Sequence, residues 1–137
     1  AEIVQKVKHV SAEESARFLK LWEIWIAREK PFKALSTGMK KRLSLALSMP
    51  GNPDFFLWDE PFNGLDPLGI KLLNEIILDL TEQGKTILLS THLLNEISVS
   101  SNSCFVLKEG ILAGTVERDS STNFNETIFN LLKNGKC

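Results

Sequence analysis

At 137 residues, with 16 Lys and Arg against 17 Asp and Glu, the chain is sized for one domain with a modest core and carries no strong net field. That balance argues against a strongly basic nucleic-acid or lipid binder, and 43 % apolar against 24 % charged residues excludes a disordered segment. The densest apolar stretch, Phe18 to Ala27, is broken by Lys20 and Glu23 and falls short of the ~20 apolar residues of a membrane span. Two cysteines, Cys104 and Cys137, make no disulfide framework and point to a reducing compartment. The chain opens Ala1-Glu2-Ile3-Val4 with no signal peptide, so the expectation is a processed chain or a piece of a longer one.

Residues 1–34 read as helical. Ser11 and Glu14 form a capping box, and Phe18, Leu21, Trp22, Trp25 and Ile26 recur at helical spacing until Pro31. Leu19 and Ile24 widen that stripe beyond one core face, which makes the surroundings of Trp22 and Trp25 a candidate partner contact, with ordinary core packing the alternative. Leu35-Ser36-Thr37-Gly38 then leads into a helix with Met39, Leu43, Ala46 and Leu47 on one side, stopped by Pro50, Gly51 and Pro53.

Phe55-Phe56-Leu57-Trp58 is a continuous apolar run of the kind found in buried strands. Asp66 as cap and Pro67 in the first turn open another helix, with Leu72, Leu73, Ile76, Ile77 and Leu80 as its stripe and Gly84 as its stop. Thr86-Ile87-Leu88-Leu89-Ser90 is a second buried strand, so the unit is a right-handed βαβ crossover with a parallel pair. Cys104–Leu107 and Ile111–Ala113 read as a hairpin at the sheet edge. Asp119–Asn123 is a polar loop, and Ile128, Phe129, Leu131 and Leu132 mark a last short helix. Asn125-Glu126-Thr127 matches a glycosylation acceptor but carries no weight without a secretory signal.

Asp59-Glu60 directly follows the first strand, and open parallel sheets bind ligands beyond the carboxyl ends of their strands. Two carboxylates there can divide phosphoryl-transfer chemistry: one holds Mg²⁺ through oxygen, the other orients the attacking water. Taken alone, the pair reads equally well as a solvated acidic turn. His92 follows the second strand and would emerge on the same edge, where it could reach a terminal phosphate, although a lone histidine is more often structural. Lys40, Lys41 and Arg42 in the first turn after Gly38 oppose the helix dipole, which fits either an awaited anion or side chains turned into water.

In combination these pieces are far more specific. Leu35-Ser36-Thr37-Gly38-Met39, an apolar strand ending in Asp59-Glu60-Pro61, Asn63-Gly64-Leu65-Asp66, and His92 after a strand resemble the second half of an ABC-type ATPase domain. They match, in order, the family's signature loop, Walker B strand, D-loop and switch histidine across residues 1–116, and the Asn63–Gly69 wording is most similar to antibiotic and bacteriocin exporters. The resemblance implies a P-loop NTPase-like α/β fold in three parts. Residues 1–50 are the end of a helical subdomain with signature loop and helix, 51–116 a part of the catalytic core, and 117–137 a tail.

It further implies that Asp59 positions Mg²⁺, Glu60 acts on the hydrolytic water and His92 contacts the γ-phosphate of ATP. Ser36, Thr37 and Gly38 would close over nucleotide held by a second nucleotide-binding subunit, and Gly64, Leu65 and Asp66 would couple the two sites. Thr37 and Met39 stand where Gly and Gln are usual; Thr37 would narrow the loop's φ/ψ. The implied setting is cytoplasmic, peripheral on the inner face of the cell membrane, beneath transmembrane transporter subunits, with no nucleic acid expected.

The phosphate loop G-x-x-x-x-G-K-[ST] does not occur: Gly84-Lys85-Thr86 has Asp79 at the first glycine position and precedes a strand, and Gly64/Gly69 is followed by Ile70. The chain is therefore expected to be a C-terminal portion, inactive alone and prone to self-association through an exposed sheet edge. Competing readings are a non-transport relative acting in DNA repair or chromosome organisation, for which no long heptad run is present, and a non-catalytic interaction module.

Overall fold

The computed structural model describes residues 11–94, 101–118 and 123–134, in two compact units divided between His92 and Leu93.

The first unit opens with helix α1, Ala12–Leu21. Ser11 caps it, its Oγ accepting from Glu14 N–H at 3.0 Å. The box is only half made, because the Glu14 carboxylate accepts from Gly51 N–H at 2.9 Å and so ties the helix start to the next connection. The expected helix through residue 34 also breaks early. Glu23 sits at φ 54°, a left-handed conformation that ends the helix, and the chain continues through 3₁₀ turns at Trp25–Ala27 and Phe32–Ala34. Residues 1–10 of that expectation lie outside the described residues.

The break redistributes the apolar stripe. Phe18, Leu19, Trp22, Ile24 and Ala27 are core, and the Trp22 indole donates to Met49 Sδ at 3.0 Å. Trp22 is thus no partner contact; Leu21, Ile26, 84 % exposed, and Phe32 are the apolar residues turned outward here. Helix α2, Thr37–Ser48, buries Leu45 and Ala46, with Met49 behind them. Met39, Leu43 and Leu47 are only half-buried, so the inward face lies toward the helix's C-terminal half rather than along the expected line.

Strand β1, Phe55–Trp58, pairs in parallel with β2, Thr86–Leu89, in the register Phe55↔Thr86 to Trp58↔Leu89. Between them runs α3, Pro67–Glu82, capped by Asp66 and burying Leu73, Ile76, Ile77 and Leu80. Gly84, at φ 79°, ends it in a Schellman arrangement: Lys85 N–H reaches Leu80 O at 3.0 Å and Gly84 N–H reaches Thr81 O at 2.9 Å. The βαβ crossover is as expected. The strands are not buried on both faces, however. Phe56 and Trp58 point into the core, while Phe55, Leu57 and Leu88 line an open face. Among the described residues this sheet has two strands only, so one side lacks a covering layer.

The second unit is a hairpin with a helix. Strands β3, Ser103–Lys108, and β4, Ile111–Glu117, are antiparallel and joined by Glu109 and Gly110, both at positive φ, the signature of a type I′ turn. They form a two-stranded sheet of their own rather than an edge of the first. Helix α4, Phe124–Asn134, is longer than the four apolar residues indicated and begins where Asn123 Oδ1 accepts from Glu126 N–H at 3.3 Å. Val106, Val116, Phe124 and Ile128 make the core. Asn125 lies in the first turn of α4, half-buried and with its side-chain oxygen enclosed. Cys104 is a free, half-buried thiol whose pKa burial pushes up. Cys137 and most of the 119–123 loop lie outside the described residues.

Candidate functional site

Asp59 and Glu60 leave the carboxyl end of β1, and Ser90, Thr91 and His92 leave that of β2. Because the strands are parallel neighbours, both segments emerge at one edge; Ser90 N–H carries the ladder one step further by donating to Trp58 O at 3.0 Å. There His92 Nδ1 lies 2.9 and 3.0 Å from the two Glu60 carboxylate oxygens. Ser90 Oγ donates to Asp59 Oδ1 at 2.5 Å and accepts from Glu60 N–H at 2.9 Å. Glu60 itself is at φ 45°, a conformation that costs a non-glycine residue about 1–3 kcal/mol and is kept where function uses it. Pro61 follows and, with Phe62, is fully buried, anchoring the turn that closes by Asn63 N–H to Glu60 O at 3.2 Å.

The second cluster gathers the residues of the 36–38 and 64–66 segments. Ser36 caps α2, accepting from Met39 N–H at 3.2 Å. Thr37 is the first helical residue and needs no positive φ, so a threonine fits there without narrowing anything the backbone uses. A Cβ on Gly38 would stand 3.1 Å from Gly64 O, and one on Gly64, at φ 81°, would stand 3.1 Å from Thr37 Cγ2. The two segments are therefore in close contact, and Gly64 also needs its glycine for the positive φ. Leu65 N–H closes the turn onto Phe62 O at 3.2 Å. Asp66 caps α3 through Gly69 N–H at 3.1 Å.

Ser90 stands in the sequence only as the end of an apolar strand, and Arg42 only as one of three cations at the start of α2; the structure gives both specific partners. Arg42, with 13 % of its side chain exposed, donates to Asp66 Oδ1 and Glu23 Oε2, each at 2.9 Å. Burial alone would lower the guanidinium's pKa; the hydrogen bonds to Asp66 and Glu23 outweigh it and hold the group charged. The same bond holds the Asp66 carboxyl below the ordinary carboxylate range. Lys41 Nζ donates to Asp59 O at 3.2 Å, and Lys40 lies over the Phe32 ring at 5.3 Å. Each of the three cations at the start of α2 thus has a partner within the protein. No local signal announces the Arg42 partners, which are 19 and 24 residues away. Ser90 had one: a hydroxyl directly after an apolar strand. A groove of about 310 Å³ runs along this cluster between Glu23, Ser36, Met39 and Asp66.

An acidic pair and a histidine thus meet at the carboxyl ends of neighbouring parallel strands, the edge at which open α/β sheets bind their ligands. A family model described as "AAA domain, putative AbiEii toxin, Type IV TA system" matches residues 26–98. The lantibiotic transport ATP-binding protein SrtF of Streptococcus pyogenes is 40 % identical over 102 residues, covering 74 % of this chain and 44 % of that protein. Among solved structures, an ATP-binding subunit of an ABC transporter aligns at TM-score 0.80 and 25 % identity, over 95 % of this chain and 59 % of the other. A dimeric ATP-binding cassette in a post-hydrolysis state, bound to ADP and Pi, aligns at TM-score 0.64 and 27 % identity, over 77 % and 46 %. The chain belongs to this AAA-domain family, and its relatives in sequence and structure are ABC transporter ATP-binding proteins. It spans less than half the length of the curated relatives it matches.

Proposed function

We propose that this chain carries the hydrolytic edge and the signature loop of an ATP-driven ABC transporter subunit, working in export. The observation that carries the proposal is the convergence of Glu60, His92, Asp59 and Ser90 on one sheet edge. Glu60, met by His92 at the end of its turn, would hold the attacking water and take its proton. His92, with one ring nitrogen on Glu60, has the other left to meet a terminal phosphate oxygen. Asp59 would hold Mg²⁺, whose chemistry is to neutralise charge on the phosphates. The donors fit: a carboxylate with a hydroxyl against it suits a hard cation. Among the described residues no three His, Cys, Asp or Glu side chains form a cage of their own, and Mg²⁺ commonly takes one or two carboxylates and completes its shell with water and phosphate.

Ser36, Thr37 and Gly38 would meet nucleotide held by a second such subunit, with Gly64, Leu65 and Asp66 passing the state of one site to the other through the Gly38–Gly64 contact. The partners proposed are that second subunit and transmembrane subunits. No described helix is long and apolar enough to cross a membrane, which fits a subunit seated peripherally on the inner face, in the cytoplasm. The relative named for lantibiotic transport supports a transport role. The phosphate loop is not among these 137 residues, so turnover is proposed for a protein of the relatives' length. In that protein Glu60→Gln should lower kcat for ATP at least ~100-fold while leaving KM within about threefold. An unchanged kcat would refute the role given to Glu60.

A further inference from the structure

We propose that Ser90 is a positioning residue: its hydroxyl, held between Asp59 and the backbone N–H of Glu60, sets the direction in which the Glu60 carboxylate meets His92. A hydroxyl has one proton and two lone pairs, so it can donate to Asp59 Oδ1 at 2.5 Å and accept from Glu60 N–H at 2.9 Å at the same time. The hydroxyl stands on a fixed base, because Ser90 N–H extends the β1–β2 ladder to Trp58 O at 3.0 Å. Glu60 occupies a left-handed conformation, φ 45°, that a non-glycine residue keeps only when its surroundings hold it there, and the Ser90 hydroxyl is the acceptor that takes its N–H.

From that backbone the carboxylate reaches His92, two residues beyond Ser90, with both oxygens within 3.0 Å of Nδ1. One segment thus supplies both holders, Ser90 for the Glu60 backbone and His92 for its side chain. The same hydroxyl also joins the Asp59 carboxylate to the Glu60 backbone, so the side chain of one and the main chain of the other share one anchor. Alanine would break both bonds; threonine would keep them.

Ser90 matters to turnover only if Asp59 and Glu60 hold the roles proposed above, but the geometry it imposes exists without nucleotide. The first test is therefore an NMR comparison of the 137-residue chain with Ser90→Ala, Ser90→Thr and the nearly isosteric weak donor Ser90→Cys. Ser90→Ala and Ser90→Cys should speed Glu60 amide exchange about tenfold or more. They should also move the Glu60 Cα shift away from its left-handed value and bring His92 Nδ1 to the shift seen in Glu60→Gln. Ser90→Thr should restore all three. Wild-type Glu60 and His92 signals in Ser90→Cys or Ser90→Ala would overturn the proposal. In a protein of the relatives' length, Ser90→Ala should lower kcat with KM for ATP within about twofold, and Ser90→Thr should rescue it; an unchanged kcat would overturn the catalytic consequence. Absence of ATP turnover in the wild type would instead sink the ATPase reading, while the NMR comparison would still decide the role of Ser90.

Discussion

Gly38 and Gly64 are glycines for different reasons. Gly64 sits at φ 81°, so any side chain there adds backbone strain to the approach of Thr37; Gly38 has no such conformation, and only the neighbouring Gly64 carbonyl, 3.1 Å from where its Cβ would stand, crowds a methyl group. Gly64→Ala should therefore destabilise the chain by about 1–3 kcal/mol in urea unfolding. Gly38→Ala should cost no more than that, since its neighbour need move only a few tenths of an ångström. Equal and negligible effects would mean that the two segments do not touch.

Asp66 supplies a pH dependence. Its carboxyl pKa is depressed by Arg42, so its contribution is fully present above the ordinary carboxylate range and is lost as pH falls through the lower folded value. Asp54, bonded to Lys85 at 2.8 Å, acts in the same direction. Tm should therefore fall as pH drops below about 4, and Asp66→Asn should flatten part of that fall. A Tm that rose on acidification, or an Asp66→Asn slope equal to wild type, would contradict the Arg42 assignment.

At the scale of elements, α3 shows what the sequence pattern can and cannot reveal. Asp66, Pro67, the Leu73–Ile76–Ile77–Leu80 stripe and Gly84 are local signals, and start, face and stop all appear where they indicate. Leu73→Ala, fully buried, should cost about 2–5 kcal/mol, whereas Leu78→Ala on the outer face should cost no more than about 1 kcal/mol, both read by denaturant unfolding. Similar losses at the two positions would mean that α3 packs on another face. Residues 11–34 were less legible because their outcome is tertiary: Glu23 turns left-handed while its carboxylate meets Arg42, a partner no helical period announces. That Asp59, Glu60 and His92 share one sheet edge was readable, since each follows an apolar strand. The Ser90 bridge and the Arg42 clamp were not, because they exist only once β1, β2, α2 and α3 are assembled.

For the whole molecule, the open face of the first sheet is the main liability. Phe55, Leu57, 71 % exposed, and Leu88 make a contiguous apolar row without a covering layer among the described residues. The chain should self-associate with rising concentration in light scattering, and Leu57→Lys should reduce the effect; a strictly monomeric wild type would count against it. The central claim, however, is that these residues form the hydrolytic and signature parts of a nucleotide site whose phosphates are held by a loop outside the 137 residues. Calorimetric titration of the chain with ATP and Mg²⁺ tests it most directly. The account predicts no saturable heat below the millimolar range. Saturable micromolar binding would mean that another segment of this chain holds the phosphates, and would contradict it.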